Sequence, residues 1–244
     1  MLCLMEAGRQ IARRWILGKR DDGGASYVAL EGSVFGLMGL MIAFTFSAAA
    51  TRFELRRQLV VEEINDIGTA WRRLDLLPQA HQAALREDFR LYVDNRLTVY
   101  YDLTEQEAAR QSQSRTKTLQ DEIWSQAVTA CGEASSVGTT NLVLTSVNTM
   151  LDIATTRTIA AQTHLPWLIR ALLVILPLIC ALLAGIDAAP SPKRSLVRVI
   201  GFALILSITV FVILDLDYPR VGLIRIDAFD QGLVELRNSM QVSR

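Results

Sequence analysis

The stretch Glu31–Leu77 constrains this chain more than any other, because it reads first as membrane and then as charged helix, with no break between them. From Gly32 to Thr51 there are 20 residues without a formal charge. At helical rise they span about 30 Å, the thickness of a bilayer's hydrocarbon core. The next 26 residues carry Arg52, Glu54, Arg56, Arg57, Glu62, Glu63, Asp66, Arg72, Arg73 and Asp75. No proline occurs between Met1 and Pro78, so every residue there keeps the amide proton a helix needs. One helix is expected to cross the bilayer and project well beyond it.

Composition agrees with a chain that is part membrane and part water-exposed. Half of it is hydrophobic (51%), yet 20% is charged. Basic and acidic residues balance at 25 each, which leaves no global basic footprint for nucleic acid. Cys3, Cys131 and Cys180 lie far apart, with neither a CxxC pair nor a disulfide framework. His81 and His164 are the only histidines and sit on separate elements, so no metal and no cofactor is expected. EGSVFG lacks the nucleophile-elbow pattern, and LMGLM is not a phosphate loop. Glu62 and Glu63 are adjacent on a helix and point roughly 100° apart, a poor start for paired-carboxylate chemistry. The chain does not read as an enzyme.

The remaining segments are also helical. Residues 1–27 form a short basic segment with Arg9, Arg13, Arg14, Lys19 and Arg20, in which LGKRDDGGAS reads as a loop. The first span covers 28–51. Pro78 ends the long helix, and Gln79–Tyr101 carries Ala83, Leu85, Phe89, Tyr92, Val93, Leu97 and Tyr100 as an apolar stripe at helical spacing. Thr104 and Glu107 form a capping box for a helix reaching about Ala130, packed through Leu119, Ile123, Trp124 and Val128. Gly132–Gly138 reads as a loop and Thr139–Gln162 as a further helix. A helical extramembrane insertion thus occupies 52–164. A second span at 165–186 holds Arg170, close enough to its end to snorkel, and Pro177, which should kink it. A loop at 187–195 leads to a third span at 196–214, and 215–244 is a tail with an extended piece at Gly222–Ile226 before a short helix. No strand alternation of any length occurs. The expected fold is an all-α membrane protein: three transmembrane helices, with the helical insertion continuing from the first.

Two alternatives bear on the N-terminal half. The apolar run followed by Ala48-Ala49-Ala50 imitates a cleaved secretory signal. The n-region would be long, however, and Arg52, Arg56 and Arg57 would oppose translocation. Positive charge in short loops favours an inside N-terminus by too small a margin to assign the sides.

The string AFTFSAAATRFELRRQLVVEEINDIGTAWRRLDLLP, which ends at Pro78, resembles the bacterial bestrophin-like family, membrane proteins of unknown function. The resemblance continues in VNTMLDIATTR (Val147–Arg157), in His164-Leu165-Pro166 and in DLDYPRVGLIRID (Asp215–Asp227), and extends from Gly8 to Asp227. Family members usually have one more span ahead of a basic loop, which GRQIARRW (Gly8–Trp15) resembles. The expectation is a shortened copy or a start placed late. A more distant similarity is to bestrophins proper, pentameric chloride channels whose pore neck is three hydrophobic residues four apart, followed by an Arg-aromatic-aromatic motif. Aligning that arginine with Arg52 puts the neck on Gly36, Leu40 and Phe44. Gly36 departs from the hydrophobic pattern, Glu54 replaces the second aromatic, and the acidic calcium clasp has no counterpart.

The resemblance implies a homo-oligomer (a pentamer) in the bacterial inner membrane, with ions and the lipid bilayer as partners. The residues add that Gly32, Gly36, Gly39, Ala43 and Ser47 put small side chains along one side of the first span, permitting close approach of spans two and three or of another copy. Arg56, Arg57, Glu62 and Glu63 are candidates to line a vestibule and bias ion sign. Arg73, Asp152, Arg157, Asp215 and Asp217 are candidates for a structural network, in which Asp152 and Arg157 pair with Arg73 and Glu63 on other helices. The alternative function is a membrane-anchored helical interaction or sensory module that conducts nothing.

Overall fold

A span in lipid must satisfy its backbone amides within the chain, which only helices and closed barrels achieve. In the computed structural model, which describes residues 1–16, 24–101, 106–134, 136–187, 189, 196–218, 222–224 and 227–242, the described residues contain helices and no strand. In order they are α1 (Leu2–Ile11) with a π turn at Ala12–Ile16, α2 (Gly24–Arg73) with a 3-10 turn at Leu74–Leu76, α3 (Gln79–Tyr101), α4 (Gln106–Gly132), α5 (Val137–Gln162), α6 (Trp167–Asp187), α7 (Leu196–Asp217) and α8 (Asp227–Val242). Three of them, α2, α6 and α7, are long and apolar enough to cross a membrane. The protein is an all-α membrane protein with three transmembrane helices and a helical insertion continuous with the first.

The chain divides into two compact units: Met1–Phe53 with His164–Ile224, and Glu54–Thr163 with Arg225–Arg244. The membrane unit is built on α6 and α7, with α2 packed through a stripe of Met38, Thr45 and Ala49. Phe35 meets Phe202 edge to face at 5.8 Å. In α6, Pro177 is buried.

The N-terminal residues differ from the basic-loop expectation, because Gly8–Trp15 lies in α1 and its π turn. The reason is a tertiary contact. A Cβ on Gly8 would strike the carbonyl of Leu182, and one on Gly185 would strike the carbonyl of Met5. Glycine on each side lets α1 and α6 touch backbone to backbone. Segment 17–23, the Thr104 end of the capping box, residues 190–195, 219–221 and 225–226, and the side chains of Tyr100, Glu107 and Arg198 lie outside the described residues.

In the second unit, Ile67, Ala70 and Trp71 of α2 pack against Leu85, Phe89 and Tyr92 of α3, with α4, α5 and α8 completing the core. Arg86 and Arg90 lie over the Trp71 ring at 4.9 and 5.4 Å. The expected faces need adjusting. Ala83 is exposed, and Trp124 and Val128 remain 37% and 45% exposed while Thr116, Ala127 and Ala130 are buried in their place. The face of α4 is turned because Asn95 of α3 donates to the Thr116 hydroxyl at 2.7 Å, drawing a polar register inward. The Gly132–Gly138 loop is shorter than expected, since α5 starts at Val137 with the Ser136 hydroxyl accepting from the Gly138 amide at 3.2 Å.

The short helix expected within the tail at 215–244 is α8. α8 belongs to the second unit, where Leu233 and Met240 are fully buried. Arg90 donates to the Met240 carbonyl at 3.2 and 3.1 Å, satisfying an orphan at the end of α8. Arg237 grips Asp94 with two bonds of 2.6 and 2.8 Å. Leu233→Ala should lower the unfolding free energy by about 2–5 kcal/mol, the usual cost of an emptied core leucine. Val137→Ala, at a side chain 79% exposed, should change it by less than about 0.5 kcal/mol. Denaturant titration of the purified protein in detergent reads both.

Candidate functional site

The membrane part of α2 has two distinct sides. Measured from Met38 at about 100° per residue, Thr45, Ala49 and Arg52 fall within about 40° of the buried stripe, whereas Gly36, Leu40 and Phe44 fall at about 160°, 200° and 240°. The second group is turned away from α6 and α7. Leu40 is 53% and Phe44 66% exposed, and a Cβ at Gly32, Gly36 or Gly39 would meet nothing within 4 Å. Ala43 and Ser47 are exposed as well. Spans two and three therefore pack on the other side of α2 from these small residues.

Behind that face, one carboxylate gathers the three spans. Asp217 ends α7 with its side chain fully buried. It accepts from Arg52 Nε of α2 at 3.0 Å and from the amide of Leu165, at the entrance to α6, at 3.0 Å. His164 Nδ1 lies 3.1 Å from the Asp217 carbonyl, and its ring stacks on Tyr218 with centroids 4.5 Å apart. Arg170 donates to the Tyr218 hydroxyl at 2.5 Å. Asp215 accepts from the amides of Leu223 at 2.9 Å and Ile224 at 2.8 Å, which bends the chain at Gly222–Ile224 where an extended piece was expected. A Cβ on Gly222 would run into that carboxylate, so the close approach requires glycine. These partners carry α7 to Asp217, past the expected end at Leu214. Acidic residues oppose the negative end of a helix dipole, and the bonds offset that penalty.

In the second unit, Glu63 is fully buried between two arginines. Arg96 Nε of α3 donates to its Oε1 at 2.6 Å, and Arg157 of α5 donates to its Oε2. Burial would raise the Glu63 carboxyl, but the charges of Arg96 and Arg157 outweigh it and hold the group below its ordinary value. Asp66 moves the other way, raised by burial and then by Glu62 and Glu63. Burial pushes the Tyr92 phenol up to about 12.

The remaining charges sort by their use. Arg56 is buried, donating Nε to the Ala160 carbonyl at 3.1 Å and Nη2 to the Thr163 carbonyl at 2.6 Å, which closes the end of α5. Arg57 bonds Glu54 at 2.6 Å on its own helix. Glu62 is exposed. Arg73 donates to the Leu142 carbonyl at 2.9 Å, not to Asp152, which takes Asn148 at 2.7 Å on its own helix.

Arg96 is the member of this buried cluster that the sequence does not single out. Its signal is its register, since positions 85, 89, 92, 93 and 96 recur at helical spacing and put an arginine inside an apolar stripe. Among the described residues, no group of three or more His, Cys, Asp or Glu is placed to hold a metal ion.

The Bestrophin-like domain model matches residues 8–228, nearly the whole chain. The chain belongs to the bestrophin-like family. Among curated proteins none matches. The fold is similar to that of a solved bacterial bestrophin homologue from Klebsiella pneumoniae carrying a tyrosine-to-alanine mutation, at TM-score 0.67 and 15% identity over 97% of each chain. The bestrophin-like region thus includes both the two-sided α2 and the Asp217 junction.

Because the folded-state value of Glu63 is depressed, its contribution to stability is complete above the ordinary carboxylate range and is lost as the pH falls through the lower value. Glu63→Gln should cost about 3–5 kcal/mol, leaving two buried arginines facing a neutral amide. It should also flatten the acid limb of a thermal unfolding series run from neutral to acid pH. An unchanged acid limb would mean that Glu63 does not carry this linkage.

Proposed function

We propose that the protein is the subunit of an oligomeric, anion-permeable channel of the bacterial inner membrane, a pentamer by resemblance. The observation that carries this reading is the uncovered side of α2. A span with Gly36, Leu40 and Phe44 on one arc, small residues along it, and a buried stripe opposite is suited to face other copies around an axis. In the ring, Leu40 and Phe44 form a hydrophobic constriction that gates by dewetting, and Gly36 leaves the third neck position wide. Residues 28–51, 165–186 and 196–214 cross the bilayer, and 52–164 projects from it. Of the four vestibule candidates, Glu62 and Arg57 retain enough exposure to act on passing ions. Arg56 and Glu63 are committed to holding α5 and α3. No chemical reaction is assigned to the protein.

One observation favours a non-conducting interaction module instead. The exposed side of α5 presents Leu142, Thr145, Thr149, Thr155, Thr156 and Ile159 with Asp152 as its single charge, and depletion of charge marks the core of protein interfaces.

Stoichiometry and flux separate the two. Native mass measurement in detergent should give an oligomer larger than a dimer, and liposomes should pass halide. Leu40→Ala/Phe44→Ala should raise that flux by widening the dewetted neck. A monomer or dimer would sink the channel reading, as would double-variant flux indistinguishable from empty vesicles.

A further inference from the structure

We infer that the Arg52–Asp217 ion pair is a rotational peg, setting which side of α2 faces outward and so aiming Leu40 and Phe44. This rests on the channel reading above. Arg52 is the polar end of the stripe through Met38, Thr45 and Ala49, and these three are buried to 6%, 5% and 0% exposure. The first three hold α2 by apolar packing and by a hydroxyl spent on its own helix, since Thr45 Oγ1 bonds the Met41 carbonyl at 2.8 Å. Such contacts resist separation but tolerate turning. Arg52 differs because its bond is directional: Nε meets Oδ1 of Asp217 at 3.0 Å. Asp217 in turn cannot follow α2, because Oδ2 is held by the Leu165 amide at 3.0 Å and the side chain is fully buried. A charged bond anchored on two other spans fixes the azimuth of the third. Arg52 and Asp217 are positioning residues here, distant along the helix from the neck side chains they orient.

The neutral pair Arg52→Gln/Asp217→Asn removes the charge from both partners at once and still offers Leu165 an acceptor, so no buried ion is stranded. Spin labels at Leu40→Cys and Leu204→Cys, in a background of Cys3→Ser, Cys131→Ala and Cys180→Ala, report the distance between α2 and α7. Diluting labelled copies with unlabelled ones keeps the measurement within one chain. Turning α2 by the about 40° that separates Leu40 from Phe44 carries a side chain on a helix of about 5–6 Å radius through about 4 Å. The neutral pair should therefore move the distance by about that much, or spread it over such a range, and halide flux should be lost. Phe35→Ala, which removes the contact with Phe202, serves as the control for lowered stability and should leave the distance in place. A distance unchanged in the neutral pair overturns the peg, and so does an equal displacement in Phe35→Ala. Flux through the parent protein tests the channel reading separately: its absence overturns that reading, while the distance decides the peg in either event.

Discussion

A carboxylate buried at the end of a membrane span must find donors, because an unpaired ion there is among the costliest groups a protein can hold. Asp217 is that carboxylate. Its two oxygens are taken by Arg52 and by the Leu165 amide, and much of the membrane unit follows from this. α7 runs to Asp217 although an acidic residue is unfavourable there, the chain entering α6 is tied down through the Leu165 amide, and α2 presents its arginine inward. Asp215 repeats the device on the returning backbone at Leu223 and Ile224. The DLDYP string is thus a pair of clamps, one for spans and one for the loop beyond them.

The second unit uses the same physics with the sign of the surplus reversed. One carboxylate, Glu63, serves two arginines from two helices, so α2, α3 and α5 are held by a polar centre as well as by the apolar core around Phe89 and Tyr92. Spending charges this way commits them to the fold. A cation donating to Ala160 and Thr163, as Arg56 does, is a structural part, whereas Glu62 is exposed.

Legibility differed from element to element for reasons that can be named. Proline and apolar length gave away α2, α3, α6 and α7, because helix termination and bilayer thickness are local demands. The α1 helix was hidden because its cause is distant: Gly8 and Gly185 are 177 positions apart, and neither carries a signal until α1 and α6 touch. The packing side of α4 is not the one that hydrophobicity alone nominates at Trp124 and Val128, because a hydrogen bond from Asn95 to Thr116 brings a polar register inward. Arg96 is not legible in the sequence, since a charged residue within an apolar stripe looks like an interruption until its partner is known.

Sequence alone determined the helical class, the three crossings, the uninterrupted helix and the family, since each depends on residues near one another or on strings read directly. Tertiary structure decided which arginine meets which carboxylate, which side of α2 is left uncovered, and that α8 returns to the core of the second unit. Those outcomes depend on pairs such as Arg52 with Asp217 and Glu63 with Arg157, far apart in the chain. Nothing local marks such a pair, because the energy that selects it arises only once burial has removed the water from both partners.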